Sequence, residues 1–390
     1  MSLINSSKDL KTLCNRLKKS DFITVDTEFI REKTYWARLC LIQVAGDDET
    51  PYAIDPLAEG IDLEPFYELM LNKEVLKVFH ACRQDLEIFF KEMGGKLPTP
   101  IFDTQIAAMV CGFGEQVSYE VLVNTLAKKQ IDKSSRFTDW AMRPLTAKQL
   151  KYALADVTHL RKVFLKLADR IEAEKRTSWI KDEMKNLMRR ENYIARPEDA
   201  WERIKVPSHK PKVLAVLKEL AAWRERLAQQ ADVPRGRIMK DEALAEIATH
   251  PPTTIEALAK MRNISQGFAE STKGQEVLDA VRRGLEMDET DIPQREMRVQ
   301  LPPGTGPTME LLRVLLKLKC EEANVAPKLL CNAADLEKIA AYGKEADVPA
   351  LKSWRLKIFG EEALNLRDGK MAIAVENGRV KLVPVASAAA

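Results

Sequence analysis

Glycine is scarce in this sequence, 16 of 390 residues, and aromatic residues make up only 6%. A chain of many short strands needs glycine at its tight turns and aromatic side chains along its strands. The shortage disfavours an all-β fold and leans towards helix. None of the six cysteines (Cys14, Cys40, Cys82, Cys111, Cys320 and Cys331) stands in a Cys-x-x-Cys pair or a dense cluster. That excludes zinc-finger spacing and a disulfide framework, and makes a reducing compartment the expected one. No apolar run approaches the length of a membrane span, and the opening MSLINSSKDL has neither the charged nor the apolar stretch of a secretory leader. The expectation is a soluble, cytoplasmic chain that neither crosses a membrane nor is exported. What is present is a length that implies two or three domains, with 45% apolar and 31% charged residues, enough to bury a core and to argue against wholesale disorder.

A large charge of one sign is missing too, the net being +3. Its distribution is uneven. Residues 1–170 hold 24 basic and 24 acidic side chains, residues 171–240 hold 17 and 11, and residues 241–390 hold 20 and 23. The surplus in the middle suits a phosphate-facing surface, or equally a solvated helix of mixed charge.

After a short helix around Ser7–Lys19, the segments FITVDTEF (22–29), ARLCLIQVAG (37–46) and PYAIDP (51–56) read as strands too closely spaced for crossover helices. They predict an antiparallel meander. Helices through Leu63–Leu71 and Leu86–Met93 bracket the apolar run LKVFHA (76–81), which continues the sheet with parallel strands. The result is a mixed sheet flanked by helices. From about residue 105 to 285 the pattern is helical. The strongest helix is Ala147 to about Glu174, with Thr146 and Gln149 spaced as a capping box. Residues 195–212 hold three prolines and read as a linker. Beyond them, a shift of 92 residues aligns Leu220 with Leu312, Val233 with Val325, Ile238 with Leu330, Leu244 with Leu336 and Ile247 with Ile339, an internal repeat of two small helical domains. The boundaries expected are an α/β domain over 1–175, a helical and basic linker over 176–209, helical domains over 210–287 and 300–370, and a C-terminal tail over 371–390.

Asp26 and Glu28 lie two apart in a strand and so point to one face, where two carboxylates repel unless a cation lies between them. A solvent-facing strand edge is the plainer explanation of that pair. Asp156 follows Tyr152 by four residues on the strong helix, beside its apolar stripe and without an obvious counter-ion. Asp85 opens the helix after the fourth strand, where capping alone would explain it. Taken in order, TVDTEF, FHACRQDLEIF and YALAD resemble the three motifs of the DEDD superfamily of 3′→5′ exonucleases, in its tyrosine subclass. EFIREKTYWARLCLIQVA, IFDTQIAA and KSSRFTDWAMRPLT resemble the ribonuclease D family. LKELAAWRERLAQQADVPRGRIMKDEALAEIA resembles the HRDC module found in helicases and at the C-terminus of that family. The resemblance implies an RNase H-like exonuclease domain followed by two HRDC-like domains. It also implies metal-dependent trimming of RNA 3′ ends, tRNA precursors among them, with release of 5′-mononucleotides. Asp26, Glu28, Asp85 and Asp156 match its metal-site acids, serving two Mg²⁺ or Mn²⁺ ions, and Tyr152 matches the residue that orients the attacking water. A monomer is expected. A DNA exonuclease of the same chemistry, and an RNA-binding protein whose nuclease has decayed, are the alternatives; the intact set of five argues against decay.

Other residues draw notice for what surrounds them. His80 and His159 read as structural, and Asp103 as a turn or helix cap. Lys133, Arg136, Phe137, Trp140 and Arg143 mix cations with aromatics, as suits single-strand contact. Trp140 either stacks on a base or packs beneath its loop. Arg224, Arg235 and Arg237 are candidate nucleic-acid contacts in the first repeat, whereas Trp223 reads as core. The second repeat has Leu315–Leu316 and Pro327 where the first has Trp223–Arg224 and Arg235, and lacks those cations.

Overall fold

The computed structural model describes residues 3–132, 138–294 and 301–385. They fall into two compact units that are not contiguous in sequence. One takes residues up to 28, 40–189 and from 300 onward; the other takes 29–39 and 190–299.

The first unit is built on a six-stranded sheet. Its strands are β1 (Leu3–Ile4), β2 (Phe22–Ile30), β3 (Arg38–Ala45), β4 (Pro51–Ile54), β5 (Leu76–Phe79) and β6 (Ile101–Asp103), in the order β1-β4-β3-β2-β5-β6. β3 and β4 pair antiparallel with Ile42 opposite Ile54, whereas β5 runs parallel to both β2 and β6. The mixed sheet is thus the one expected, with β1 and the three-residue β6 added at its edges. Helices α1 (Ser7–Leu17), α2 (Glu64–Leu71), α3 (Arg83–Glu92), α4 (Thr104–Val110), α5 (Tyr119–Leu122) and α6 (Ala147–Ala173) follow their strands. Ile23, Val25, Leu41, Ile42, Phe79 and Phe89 make the core, each all but inaccessible. α6 begins at the expected capping box: the Thr146 hydroxyl accepts from Gln149 N at 3.2 Å, and Gln149 Oε1 accepts from Thr146 N at 3.0 Å.

The segment expected as a linker is not one. Its first part forms α7 (Thr177–Leu187), whose Ile180 and Met184 are buried, and Met184 Sδ accepts from Asp103 N–H at 3.4 Å. Its second part enters the core of the helical unit through Trp201, Ile204 and Val206. The prolines misled because Pro197 and Pro211 each start a helix, where the missing N–H costs nothing.

That unit comprises α8 (Pro211–Gln230), α9 (Arg235–Ile238), α10 (Asp241–Thr249), α11 (Ile255–Ala259), α12 (Gln266–Ala269) and α13 (Thr272–Leu285), around Leu214, Leu217, Leu220, Leu244 and Val277. Gly284 lets α13 approach α8 closely, since a Cβ there would lie 2.5 Å from Val216 Cα. The segment 29–39 is fastened inside the same unit. Tyr35 donates its hydroxyl proton to Glu225 and accepts from Arg235 Nη2 at 2.8 Å and Gln229 Nε2 at 3.1 Å. Asp232 Oδ1 accepts from the backbone N–H groups of Tyr35 and Trp36 at 3.1 and 3.0 Å. The Glu225 side chain is 2% exposed and that of Arg235 33%. Removing one member of a buried ion pair costs about 3–5 kcal/mol, and Arg235 can still turn to water. Glu225→Ala is therefore expected to lower stability by about 3 kcal/mol, the low end of that range, as read from denaturant midpoints. A loss below about 1 kcal/mol would place the clamp with ordinary surface pairs.

The remaining helices return to the first unit. α14 (Thr305–Ala323), α15 (Pro327–Leu330) and α16 (Ala333–Tyr342) reproduce the pattern of α8–α10 at the expected offset. Arg176 caps the end of α14, donating to the carbonyls of Ala323 and Asn324 at 2.5 and 3.0 Å, and Trp179 stacks on Trp354 with centroids 4.1 Å apart. Residues expected as a tail form an antiparallel hairpin, β7 (Met371–Glu376) and β8 (Arg379–Pro384), turned at Asn377–Gly378, both at positive φ.

Candidate active site

The parallel register of β2 and β5 sets Thr24 opposite Val78. The Thr24 hydroxyl donates to the Val157 carbonyl at 2.8 Å, so this face of β2 looks onto α6. Asp26 lies two residues further along the same face, at the carboxyl end of the paired strands, and Asp156 is the neighbour of Val157. The juxtaposition of the two acids thus follows from one strand–helix contact. Asp85 sits buried in the first turn of α3, where the Thr27 hydroxyl donates to its Oδ1. Asp103 acts as the expected cap. Its carboxylate accepts from Gln105 N at 2.7 Å and Ile106 N at 3.3 Å at the start of α4, and from Ala81 N at 3.1 Å and Cys82 N at 2.9 Å in the turn that leads to Asp85.

A cavity of about 540 Å³ opens here, lined among others by Asp26, His80, Tyr119, Tyr152, Asp156 and Leu160. Burial lifts all four acids above their ordinary range. Asp26 is raised well above its ordinary value, by burial first and then by the charges of Asp156, Asp85 and Glu28. Glu28 is pushed up to about 8 by burial, Asp156 and Asp85. Asp156 rises to about 7 by burial, and Asp85 to about 6 by burial, tempered by the Thr27 hydrogen bond. Among the described residues, no lysine or arginine figures among the groups acting on any of the four. They lie within electrostatic reach of one another, although among the described residues no three His, Cys, Asp or Glu side chains converge as a ready-made metal cage.

The expected nucleic-acid contacts divide. Trp140 is 3% exposed, its ring 6.1 Å from that of Tyr152, so it packs beneath the helix and offers no face to a base. Arg143 is consumed by Asp55 (2.7 and 2.8 Å) and by the carbonyls of Cys40, Trp140 and Met142, which latch the loop before α6 to the sheet. Arg224 is buried, donating to Asp241 at 2.6 Å and Met239 O at 2.9 Å, and Arg235 belongs to the Tyr35 clamp. These four are structural, because each guanidinium or indole is engaged inside the fold. Trp223 is core, as expected. Arg237 is exposed. Lys133, Arg136 and Phe137 lie outside the described residues. Tyr119 went unnoticed in the sequence: its hydroxyl donates to the Asp156 carbonyl and its ring lies 5.1 Å from His80. No spacing or motif marks it, since a four-residue helix has no periodicity.

Comparison with known proteins gives the family. The family model described as 3'-5' exonuclease matches residues 1–172, and the HRDC domain model matches residues 213–281. Ribonuclease D of Nitrobacter hamburgensis is 48% identical over 380 residues, covering 97% of this chain and 98% of that protein. The chain belongs to the ribonuclease D family. Ribonuclease D of Jannaschia sp. is 47% identical over 388 residues, 98% of this chain and 99% of its own. The crystal structure of Escherichia coli RNase D, described as an exoribonuclease involved in structured RNA processing, superposes with a TM-score of 0.80 at 28% identity, over 94% of this chain and 98% of that one. A ribonuclease D-family chain of this kind is a 3′→5′ exoribonuclease, a hydrolase acting on RNA, with an α/β exonuclease domain and a helical HRDC region. No helix among the described residues is long and apolar enough to cross a membrane.

Proposed function

We propose that Asp26, Glu28, Asp85 and Asp156 hold two divalent cations, Mg²⁺ or Mn²⁺, and that Tyr152 orients the attacking water. The observation that carries this reading is the cluster itself: four buried acids, of which Asp26 and Glu28 are pushed up by the charges of the others, with no lysine or arginine among the described residues acting on them. Their donors are all carboxylate oxygens, which suit hard ions. Drawing these side chains onto a cation would relieve their mutual repulsion. When bound, a pair of such ions would supply Lewis-acid stabilisation of the charge that develops in an in-line displacement at phosphorus.

The chain's own residues do the remainder. Tyr152, one helical turn before Asp156, shares the cavity with Asp26 and backs onto Trp140, which restrains its ring. Its hydroxyl can hold a water in line with the scissile bond. Attack there would break the bond between phosphorus and the 3′ oxygen of the remaining chain, which leaves as its new 3′ hydroxyl. The phosphate stays on the 5′ oxygen of the released nucleotide, so the product is a 5′-mononucleotide. The structured RNA named for the E. coli relative supports tRNA precursors as the substrate class. Arg237, and Lys133, Arg136 and Phe137, remain as candidate contacts to that RNA. We read the exonuclease domain, the HRDC domain and a second HRDC-like domain over α14–α16 as the functional modules of a cytoplasmic monomer.

Matched 3′-labelled RNA and DNA, each with Mg²⁺ or with chelator, test this. RNA should shorten from the 3′ end only with metal, giving 5′-mononucleotides. Equal hydrolysis of DNA would favour the DNA exonuclease, and binding without hydrolysis would favour the decayed nuclease.

A further inference from the structure

His80 lines the cavity, and a chain of hydrogen bonds fixes its tautomer. The register of β5 with β6 sets Phe79 opposite Asp103, so the next residues, His80 and Thr104, are neighbours. Thr104 Oγ1 lies 3.0 Å from the Phe79 carbonyl oxygen and 3.0 Å from His80 Nδ1. A carbonyl only accepts, so the single hydroxyl proton of Thr104 goes to Phe79. Oγ1 then has only lone pairs for the imidazole, and Nδ1 must carry the proton. In the neutral ring this leaves Nε2 unprotonated, an acceptor. Burial lowers the His80 pKa below its ordinary value and keeps the ring neutral, against the opposing pull of Asp103.

Nε2 has no protein partner among the described residues, while the ring itself lines the cavity with Asp26, Tyr152 and Asp156. The ring cannot turn away. Tyr119 packs on it at 5.1 Å and is itself tied to α6 through the Asp156 carbonyl. A fixed acceptor with no protein partner, in a cavity it shares with Asp26 and Asp156, calls for a donor brought by the ligand. A chain-trimming enzyme meets all bases in turn, so a donor it can always rely on belongs to the sugar and not to a base edge.

We infer that His80 Nε2 accepts a hydrogen bond from a ribose hydroxyl of the 3′-terminal nucleotide and positions that nucleotide for hydrolysis. The inference rests on the exonuclease reading above.

Steady-state kcat/KM on oligoribonucleotides with an ordinary, a 2′-deoxy or a 3′-deoxy 3′-terminal residue tests it, with Mg²⁺ present. His80→Asn keeps a donor for Thr104 but has nothing at the position of Nε2; His80→Gln restores an acceptor there. Loss of one neutral hydrogen bond corresponds to about 10-fold in kcat/KM. His80→Asn should lose that factor on the ordinary end, and His80→Gln should recover part of it. On the deoxy end that lacks the bonded hydroxyl, wild type should be slower by the same factor and His80→Asn should cost nothing further. Which deoxy end behaves so identifies the hydroxyl. If His80→Asn does not fold, His80→Ala takes its place in the same comparison. An equal loss on all three ends, or a wild type indifferent to both deoxy substitutions, would overturn the inference and leave the exonuclease reading standing. Hydrolysis of none of the three by wild type would overturn the exonuclease reading itself.

Discussion

Asp26→Asn and Asp156→Asn should each lower RNA hydrolysis by roughly 10³-fold or more, since Lewis-acid stabilisation is worth several kcal/mol and each 1.4 kcal/mol is a decade of rate. Both variants should fold, because among the described residues neither acid has an ion pair that the substitution would break. Removing a charge from a mutually repelling group relieves the apo protein, so their melting temperatures in chelator should match or exceed wild type. The pH dependence has a definite sign. The acids have folded pKa values of about 6 (Asp85), 7 (Asp156) and 8 (Glu28), against 3.8 to 4.5 for ordinary carboxyls. The native state therefore holds protons that the unfolded chain has released. The contribution of these acids to metal-free stability is fully present below the ordinary carboxyl range and is lost as pH rises towards 8. Mg²⁺ binds the ionised cluster, so its stabilising shift should grow over the same window. A Mg²⁺ shift equal at pH 5.5 and pH 8, or a variant with near-wild-type turnover, would remove the acid concerned from the site.

Tyr152→Phe should slow hydrolysis by roughly 10²–10⁴-fold, the scale of a positioned orienting or proton-transfer group. The ring and its contact with Trp140 would persist, so the fold and the acids stay in place. The Mg²⁺-induced shift in melting temperature should then match wild type, which separates Tyr152 from the four carboxylates. A parallel loss of metal affinity would make the hydroxyl part of the metal site; an unchanged rate would mean that it does not touch the reacting water.

Spacing alone offered only pairs among the acids, and the resemblance proposed them as one set. Asp26 and Glu28 share a strand face, and Tyr152 and Asp156 a helix face. The Thr24–Val157 bond that brings the two faces together spans 133 residues and leaves no local trace. α6 was legible to within a residue because its cap and its stripe agree. The repeat was legible through its buried positions, which recur because the same helices pack in the same way. Charged residues were misjudged for the opposite reason. An arginine that saturates backbone carbonyls, as Arg143 does, is indistinguishable in sequence from one that waits for phosphate. The basic surplus of residues 171–240 is partly such structural arginine, through Arg176, Arg224 and Arg235. Substituting Arg224, Arg235 and Arg237 together would therefore disturb the helical core along with any RNA contact. The final hairpin was legible and overlooked: Asn377–Gly378 between two alternating runs is a strong turn signal.

The interleaving of the two units bears on how the chain folds as it is made. Tyr35 leaves the ribosome with its clamp unmade, for Glu225 comes 190 residues later and Arg235 200. At about 5–20 residues per second, that is a wait of roughly 10–40 s. The first unit meets a similar delay, since the α14 carbonyls that Arg176 caps are 147 and 148 residues downstream. Neither unit can close in simple N-to-C order. Tyr35 and its neighbours stay exposed through much of synthesis, so a nascent chain stalled before Glu225 should present them to chaperones or proteases that the finished protein would escape.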